Sequence, residues 1–132
     1  MLIAAVIAPG GTPARLIAAW QSGAFELVVS PALLAELRRA FAYPKLERLV
    51  PAPEADAFVA WLGAAARIVV DPAGPPPVRC EDPDDDYLIS LAAAERAALV
   101  SGDTHLTSLA GRIPVLTPAQ FLAELEAPFR DP

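Results

Sequence analysis

The sequence predicts an α/β fold in which a mostly parallel sheet is covered by helices on both faces. Three observations lead there. Short apolar runs, among them Phe25–Val29, Arg67–Val70 and Ala98–Val100, alternate with longer segments of helical periodicity. These runs are continuous and β-branched, without the in/out alternation of a half-solvated strand, so both faces are expected to be covered. Finally, 132 residues at 55% hydrophobic and 20% charged suffice for one domain, read here as spanning 1–132.

The elements follow from local chemistry. Three helix starts use one device: Thr12-Pro13-Ala14, Ser30-Pro31-Ala32 and Thr117-Pro118-Ala119 each place a hydroxyl at the N-cap and proline at the first helical position. The first helix, 13–22, presents Leu16, Ile17 and Trp20 on one face and stops at Gly23. After the strand at 25–29, Ser30 opens a helix that Tyr43-Pro44 ends near 42. A helix over 54–66, with Ala57, Phe58, Trp61 and Leu62 as its stripe, leads into the strand at 67–70. Asp71–Val78 carries four prolines and a glycine and reads as a stiff connection. A helix over 83–95, a strand at 98–100, a short helical turn, a strand at 113–116 and a helix from Pro118 complete the chain. Met1–Ala8 is apolar but lacks a basic leader region and is too short to span a bilayer, so it reads as core.

Composition excludes several classes. One cysteine permits no internal disulfide, which points to a reducing, cytoplasmic setting. His105 is the only histidine, so no Cys/His zinc pattern exists. Gly10-Gly11 lacks the spacing and the Lys-Ser/Thr of a phosphate loop, and no Gly-x-Ser-x-Gly elbow occurs. A net charge of -6 argues against loose electrostatic nucleic-acid binding, but not against an enzyme whose cations supply the positive charge. Arg38, Arg39, Lys45 and Arg48 form a local basic cluster, either a solvated helix face or a contact for RNA or a protein partner.

The chemistry concentrates in Cys80-Glu81-Asp82-Pro83-Asp84-Asp85-Asp86-Tyr87-Leu88. Asp82 before Pro83 reads as N-cap and first helical position, and acids in the first turn suit the helix dipole. Asp86 adjoins residues that must face a core, where a carboxylate needs a partner or a cation. Carboxylate oxygens suit hard cations such as Mg2+ or Mn2+. Ligands of parallel sheets bind beyond the carboxyl ends of the strands. Asp103 follows the strand at 98–100, Glu36 lies on the helix after strand 25–29, and Asp86 starts a helix, so the three acids can converge there.

Taken in order, Ser30 to Leu37 (Ser-Pro-Ala-x-Leu-x-Glu-Leu), Asp82 to Leu88, Val100 to Leu106 (Val-Ser-Gly-Asp-x-x-Leu) and the ending Pro114–Leu122 resemble the PIN-domain family, in particular the toxin components of prokaryotic type II toxin–antitoxin pairs. The resemblance covers nearly the whole chain. It implies a three-layer α/β/α sandwich and a Mg2+- or Mn2+-dependent endoribonuclease acting on single-stranded RNA. It also implies an antitoxin partner, a homodimer, and Glu36, Asp86 and Asp103 as metal-binding acids, with Asp82 and Asp85 as helpers or helix caps. In such proteins a hydrophobic strand ending in Asp-Thr-Asn comes first, and Met1–Gly11 resembles the part that follows it. The sequence-based expectation is therefore a domain lacking its first, central strand and one metal-binding aspartate, with Met1 standing where a valine codon was taken as the start. A chain of that kind either cleaves weakly or serves as a cleavage-impaired module binding RNA or antitoxin. An acid-cluster phosphatase would need an aspartate nucleophile after the first strand, which is not present.

Overall fold

A computed structural model describes residues 6, 8 and 10–127. Expectations resting on residues 1–5, 7 and 9, including the start of the chain and the strand before it, lie outside the described residues. Within them the order is α1 (Thr12–Gln21), β1 (Val28–Val29), α2 (Pro31–Phe41), α3 (Pro44–Leu49), α4 (Ala52–Ala65), β2 (Arg67–Ile68), a 3-10 turn (Pro83–Asp85), α5 (Asp86–Glu95), β3 (Leu99–Val100), α6 (Thr104–Thr107), β4 (Val115–Leu116) and α7 (Pro118–Glu126).

Two of the three predicted caps form as read. The Ser30 hydroxyl accepts from Leu33 N, and Thr117 makes a reciprocal capping box with Gln120. A cap of this kind stabilises its helix by about 1 kcal/mol. The third is displaced by one residue: Gly11 occupies the N-cap of α1 and Thr12 is already helical, so its hydroxyl caps nothing. Pro44 both ends α2 and opens α3, a helix not expected from the sequence, because a first-turn proline costs no hydrogen bond. On α4 the buried stripe is Ala55, Val59 and Leu62, with Phe58 and Trp61 half-buried and Ala57 exposed.

The strands are shorter than their apolar runs, and they do not form one continuous central sheet. β1 pairs in parallel with β2, Val28 opposite Arg67, and β3 pairs in parallel with β4, Leu99 opposite Val115. Among the described residues these are two separate two-stranded sheets. Each has its own core. Ile17, Leu37, Phe41, Val50, Val59 and Leu62 pack one side, with Val6 against them. Ile89, Leu106 and Val115 centre the other. Burial of each such side chain contributes roughly 1.5–3 kcal/mol.

All four strands run the same way. The Arg67 guanidinium, at the start of β2, contacts Glu26 just before β1 at 3.0 Å and Glu95, four residues before β3, at 3.4 Å. The amino ends of three strands thus share one end of the molecule. Among the described residues no helix is long and apolar enough to cross a membrane.

Candidate metal centre

The carboxyl ends of the strands carry the acids. Asp82 and Pro83 open the 3-10 turn, and the Asp82 carboxylate accepts from Asp84 N at 3.0 Å. The turn gives way to α5 at Asp85, whose backbone sits at φ -100°, ψ 0°. That junction sends two successive carboxylates in different directions.

Asp85 points towards α6, where His105 Nε2 lies 2.6 Å from its Oδ2. One ligand atom each from Asp82, Asp85 and His105 falls within 4.8 Å of the others. Asp85 and Asp103 also line the same cavity. Ser101, at the end of β3 and nearly fully buried, accepts from Asp103 N at 3.1 Å and thereby fixes the loop carrying Asp103. The His105 pKa is raised, first by its hydrogen bond to Asp85 and then by the charges of Asp85, Asp103 and Asp82, with burial opposing.

Asp86 turns the other way and is buried. It accepts from Cys80 N at 3.0 Å, lies 3.4 Å from the Cys80 thiol, and pairs with Arg79 at 3.4 Å. The Cys80 N–H above all holds its pKa below the usual carboxylate range. The Asp86 carboxylate thus ties down Arg79 and Cys80, and the three groups that lie within 4.8 Å, Asp82, Asp85 and His105, include none of Glu36, Asp86 and Asp103.

Glu36 stands on the second turn of α2, half-exposed and paired with Arg39. The Tyr87 pKa is pushed up to about 12 by burial first and then by the negative charges of Glu36, Asp85 and Asp71. Of the basic cluster, Arg39 is bound to Glu36, Arg48 reaches the Pro44 carbonyl, and Arg38 and Lys45 are exposed.

Sequence reasoning assigns no role to Asp71. Its Oδ2 accepts from Ala32 N at 2.9 Å, across 39 residues, and so caps the helix that carries Glu36. The other oxygen, Oδ1, is buried without a partner. The signal that could have found it is an acid directly after a strand, at the edge where the other acids gather. His105, considered from the sequence only as half of an absent zinc pattern, is hydrogen-bonded to Asp85.

Two carboxylates and one imidazole within 4.8 Å of one another, with a third carboxylate, Asp103, on the cavity that Asp85 lines, make a donor set suited to a divalent cation. Oxygen ligands fit Mg2+ or Mn2+, and a single nitrogen is tolerated better by Mn2+. Like charges so crowded repel unless a cation or protons intervene.

Comparison with known proteins agrees with this chemistry at the level of family. No curated protein and no solved structure matches the chain. The family model described as PIN domain matches residues 1–105, about four-fifths of the length, and the chain belongs to the PIN-domain family, whose members are in general metal-dependent nucleases.

Proposed function

We propose that this chain is a Mg2+- or Mn2+-dependent endoribonuclease acting on single-stranded RNA, and that Asp82, Asp85, Asp103 and Glu36 form its acidic site. The observation that carries the reading is the approach of Asp82, Asp85 and His105 to within 4.8 Å at the strand edge where Asp103 also lies. When bound, a divalent ion there would supply a lowered water pKa and neutralise charge on the scissile phosphate.

The residues divide the work. Asp85 and Asp82 provide hard oxygen donors, and Asp103, held by Ser101, adds a third carboxylate on the same rim. His105 fixes the Asp85 carboxylate and offers the one nitrogen donor of the set. Glu36 adds negative charge from α2, steadied by Arg39. Asp86, named with Glu36 and Asp103 from the sequence, supports the site by holding Cys80 and Arg79 beneath the 3-10 turn. Single-stranded RNA is the preferred substrate class because its unstacked bases and backbone reach an edge site that a duplex could not enter closely. Arg38 on α2 and Lys45 on α3, both exposed, would meet the phosphates of the flanking chain.

The ordered motifs in Ser30–Leu37, Asp82–Leu88 and Val100–Leu106 support the narrower reading as a toxin component with an antitoxin protein as partner. The single cysteine supports a cytoplasmic setting.

The test is cleavage of an end-labelled single-stranded RNA with Mn2+, with EDTA, and with the Asp85→Asn and Asp103→Asn variants. Metal-dependent cleavage lost in both variants, with melting temperatures unchanged, is the expected result. Cleavage that survives EDTA, or an active Asp103→Asn protein, would remove these acids from the reaction.

A further inference from the structure

Tyr43 stands between α2 and α3 and is 63% exposed, the one aromatic among the large apolar residues that solvent reaches in the described part of the chain. The aromatic rings nearby in sequence are packed, Phe41 on Phe58 and Phe58 on Trp61. Local structure gives no reason for a tyrosine at this corner. Pro44 restricts the residue before it to extended backbone, and Tyr43 sits at φ -62°, ψ 137°. Its carbonyl accepts from Leu46 N and Glu47 N, as the carbonyl of any residue would. The position is the N-cap of α3, where Ser, Thr, Asp or Asn would satisfy a further amide, and the Tyr43 side chain makes no such bond. A ring that neither caps nor packs also forgoes the gain of removing its apolar area from water.

The surroundings of the ring are cationic. Between positions 38 and 48 stand Arg38, Arg39, Lys45 and Arg48 against the single acid Glu47, in a chain of net charge -6. Arg48 Nε donates to the Pro44 carbonyl at 3.2 Å, which brings its guanidinium back to the residue beside Tyr43. Lys45 lies two residues past the ring and is exposed, as is Arg38. Glu36 comes seven residues before Tyr43, close to two full helical turns, so the chain leaves α2 about 10 Å along the axis from Glu36 and on the same side.

We propose that Tyr43 is a stacking platform for one unpaired RNA base, with Arg48 and Lys45 on the phosphates that flank that nucleotide. RNA as the ligand rests on the ribonuclease reading above; the ring adds a subsite two helical turns from Glu36. Every base has a π-face, so stacking on an aromatic ring tolerates any sequence, but it requires a base free of its duplex partner. The subsite therefore selects single strands through the base, while the cations hold the backbone. A protein partner would instead anchor such a ring in a dry pocket with few charges at its centre. Four cations within five residues of an exposed ring match a polymer that alternates bases with phosphates.

The probes are a fluorescein-labelled oligoadenosine RNA and an abasic oligomer of the same length and charge. Each is titrated into the full chain by fluorescence anisotropy in EDTA, which separates binding from metal-dependent cleavage. Tyr43→Ala should weaken binding of the oligoadenosine roughly tenfold and leave the abasic oligomer within about twofold. The slope of its affinity against salt should not change, because no phosphate contact is lost. Tyr43→Phe should bind as the parent does. Tyr43→Leu, which keeps apolar bulk without a π-face, should be as weak as Tyr43→Ala. Arg48→Ala should weaken both probes alike and flatten the salt slope. Melting temperatures should stay at the parent's value throughout, since the side chains changed are exposed. Parental affinity in Tyr43→Ala or Tyr43→Leu would overturn the proposal. An equal loss on the abasic oligomer, or an Arg48→Ala protein with an unaltered salt slope, would do the same. A parent that binds neither probe would overturn it too, leaving the ring to a protein partner. The nuclease reading fails on a different result. A parent that binds the oligoadenosine through Tyr43 but does not cleave it in Mn2+ keeps the platform and loses the nuclease. A parent that cleaves with KM untouched by Tyr43→Ala does the reverse.

Discussion

Asp71→Ala is predicted to cost about 1 kcal/mol of stability and to disturb the Glu36 end of the site. The first turn of α2 is fully accounted for: Pro31 has no N–H, Ala32 N goes to Asp71, Leu33 N to the Ser30 hydroxyl and Leu34 N to the Ser30 carbonyl. Deleting the carboxylate removes a bond to a charged acceptor, about 1.5–3 kcal/mol, and leaves Ala32 N without a protein partner. It also removes a buried oxygen, Oδ1, that has no partner, and relief of that desolvation returns about 1–2 kcal/mol. Loss of the cap outweighs this relief because the carboxylate also sits at the positive end of the helix dipole. A net loss of about 1 kcal/mol corresponds to roughly 3–5 °C in melting temperature for a chain of this length. Asp71→Asn keeps an acceptor for Ala32 and should fall between. A second readout isolates position from stability: without the Asp71 charge, Tyr87 should ionise at lower pH in a spectrophotometric titration, though burial keeps it above ordinary tyrosine. An Asp71→Ala protein as stable as the parent, with Tyr87 unmoved, would refute the account of α2.

Other consequences are as direct. Asp86→Asn should destabilise the protein at neutral pH while Asp85→Asn should not, because only Asp86 is buried under Cys80 N–H and Arg79; comparison of urea midpoints decides it. The folded pKa of Asp86 is depressed, so its stabilising contribution is present above about pH 4, the unfolded value, and disappears as pH falls through the folded pKa. The gap between parent and Asp86→Asn should therefore close on acidification, and a gap that widened would have the sign wrong. Arg39→Ala should leave stability within about 1 kcal/mol, since its pair with Glu36 is exposed, and thermal melts check this. Charge reversal at Arg38 and Lys45 should weaken RNA binding at low salt and flatten its salt dependence; an unchanged slope counts against a phosphate contact.

How far the sequence reached depended on how local each determinant was. The hydroxyl-proline starts at Ser30 and Thr117 were legible because a cap involves residues three apart. The failure at Thr12 has the same local scale: Gly11 takes the extended N-cap conformation, and the hydroxyl is already inside the helix. Strand ends were not legible, since an apolar run states what is buried but not where a partner strand stops. Phe25 belongs to a run of five, yet pairing begins three residues later and Phe25 packs edge-on against Phe121 instead.

The site illustrates the hardest case. Asp84, Asp85 and Asp86 are chemically identical, and an α-helix begun at Pro83 would turn each by 100° relative to the last. The segment instead opens as a 3-10 turn, with three residues per turn, and converts to α at Asp85. Over three residues that difference swings the carboxylate directions enough to exchange neighbours. Asp85 then meets His105, and Asp86 meets the backbone of Cys80. The choice between them rests on contacts 20 residues away for Asp85 and 6 for Asp86. Composition fixes neither. Moving the acid by two positions should therefore not rescue function. The double variant Asp85→Asn with Tyr87→Asp keeps the acid count and still should not cleave, because position 87 is half-buried on α5, two residues past the carboxylate that meets His105. Cleavage restored by that double variant would show that the edge needs only negative charge, and that the geometry of the 3-10 turn is irrelevant to it.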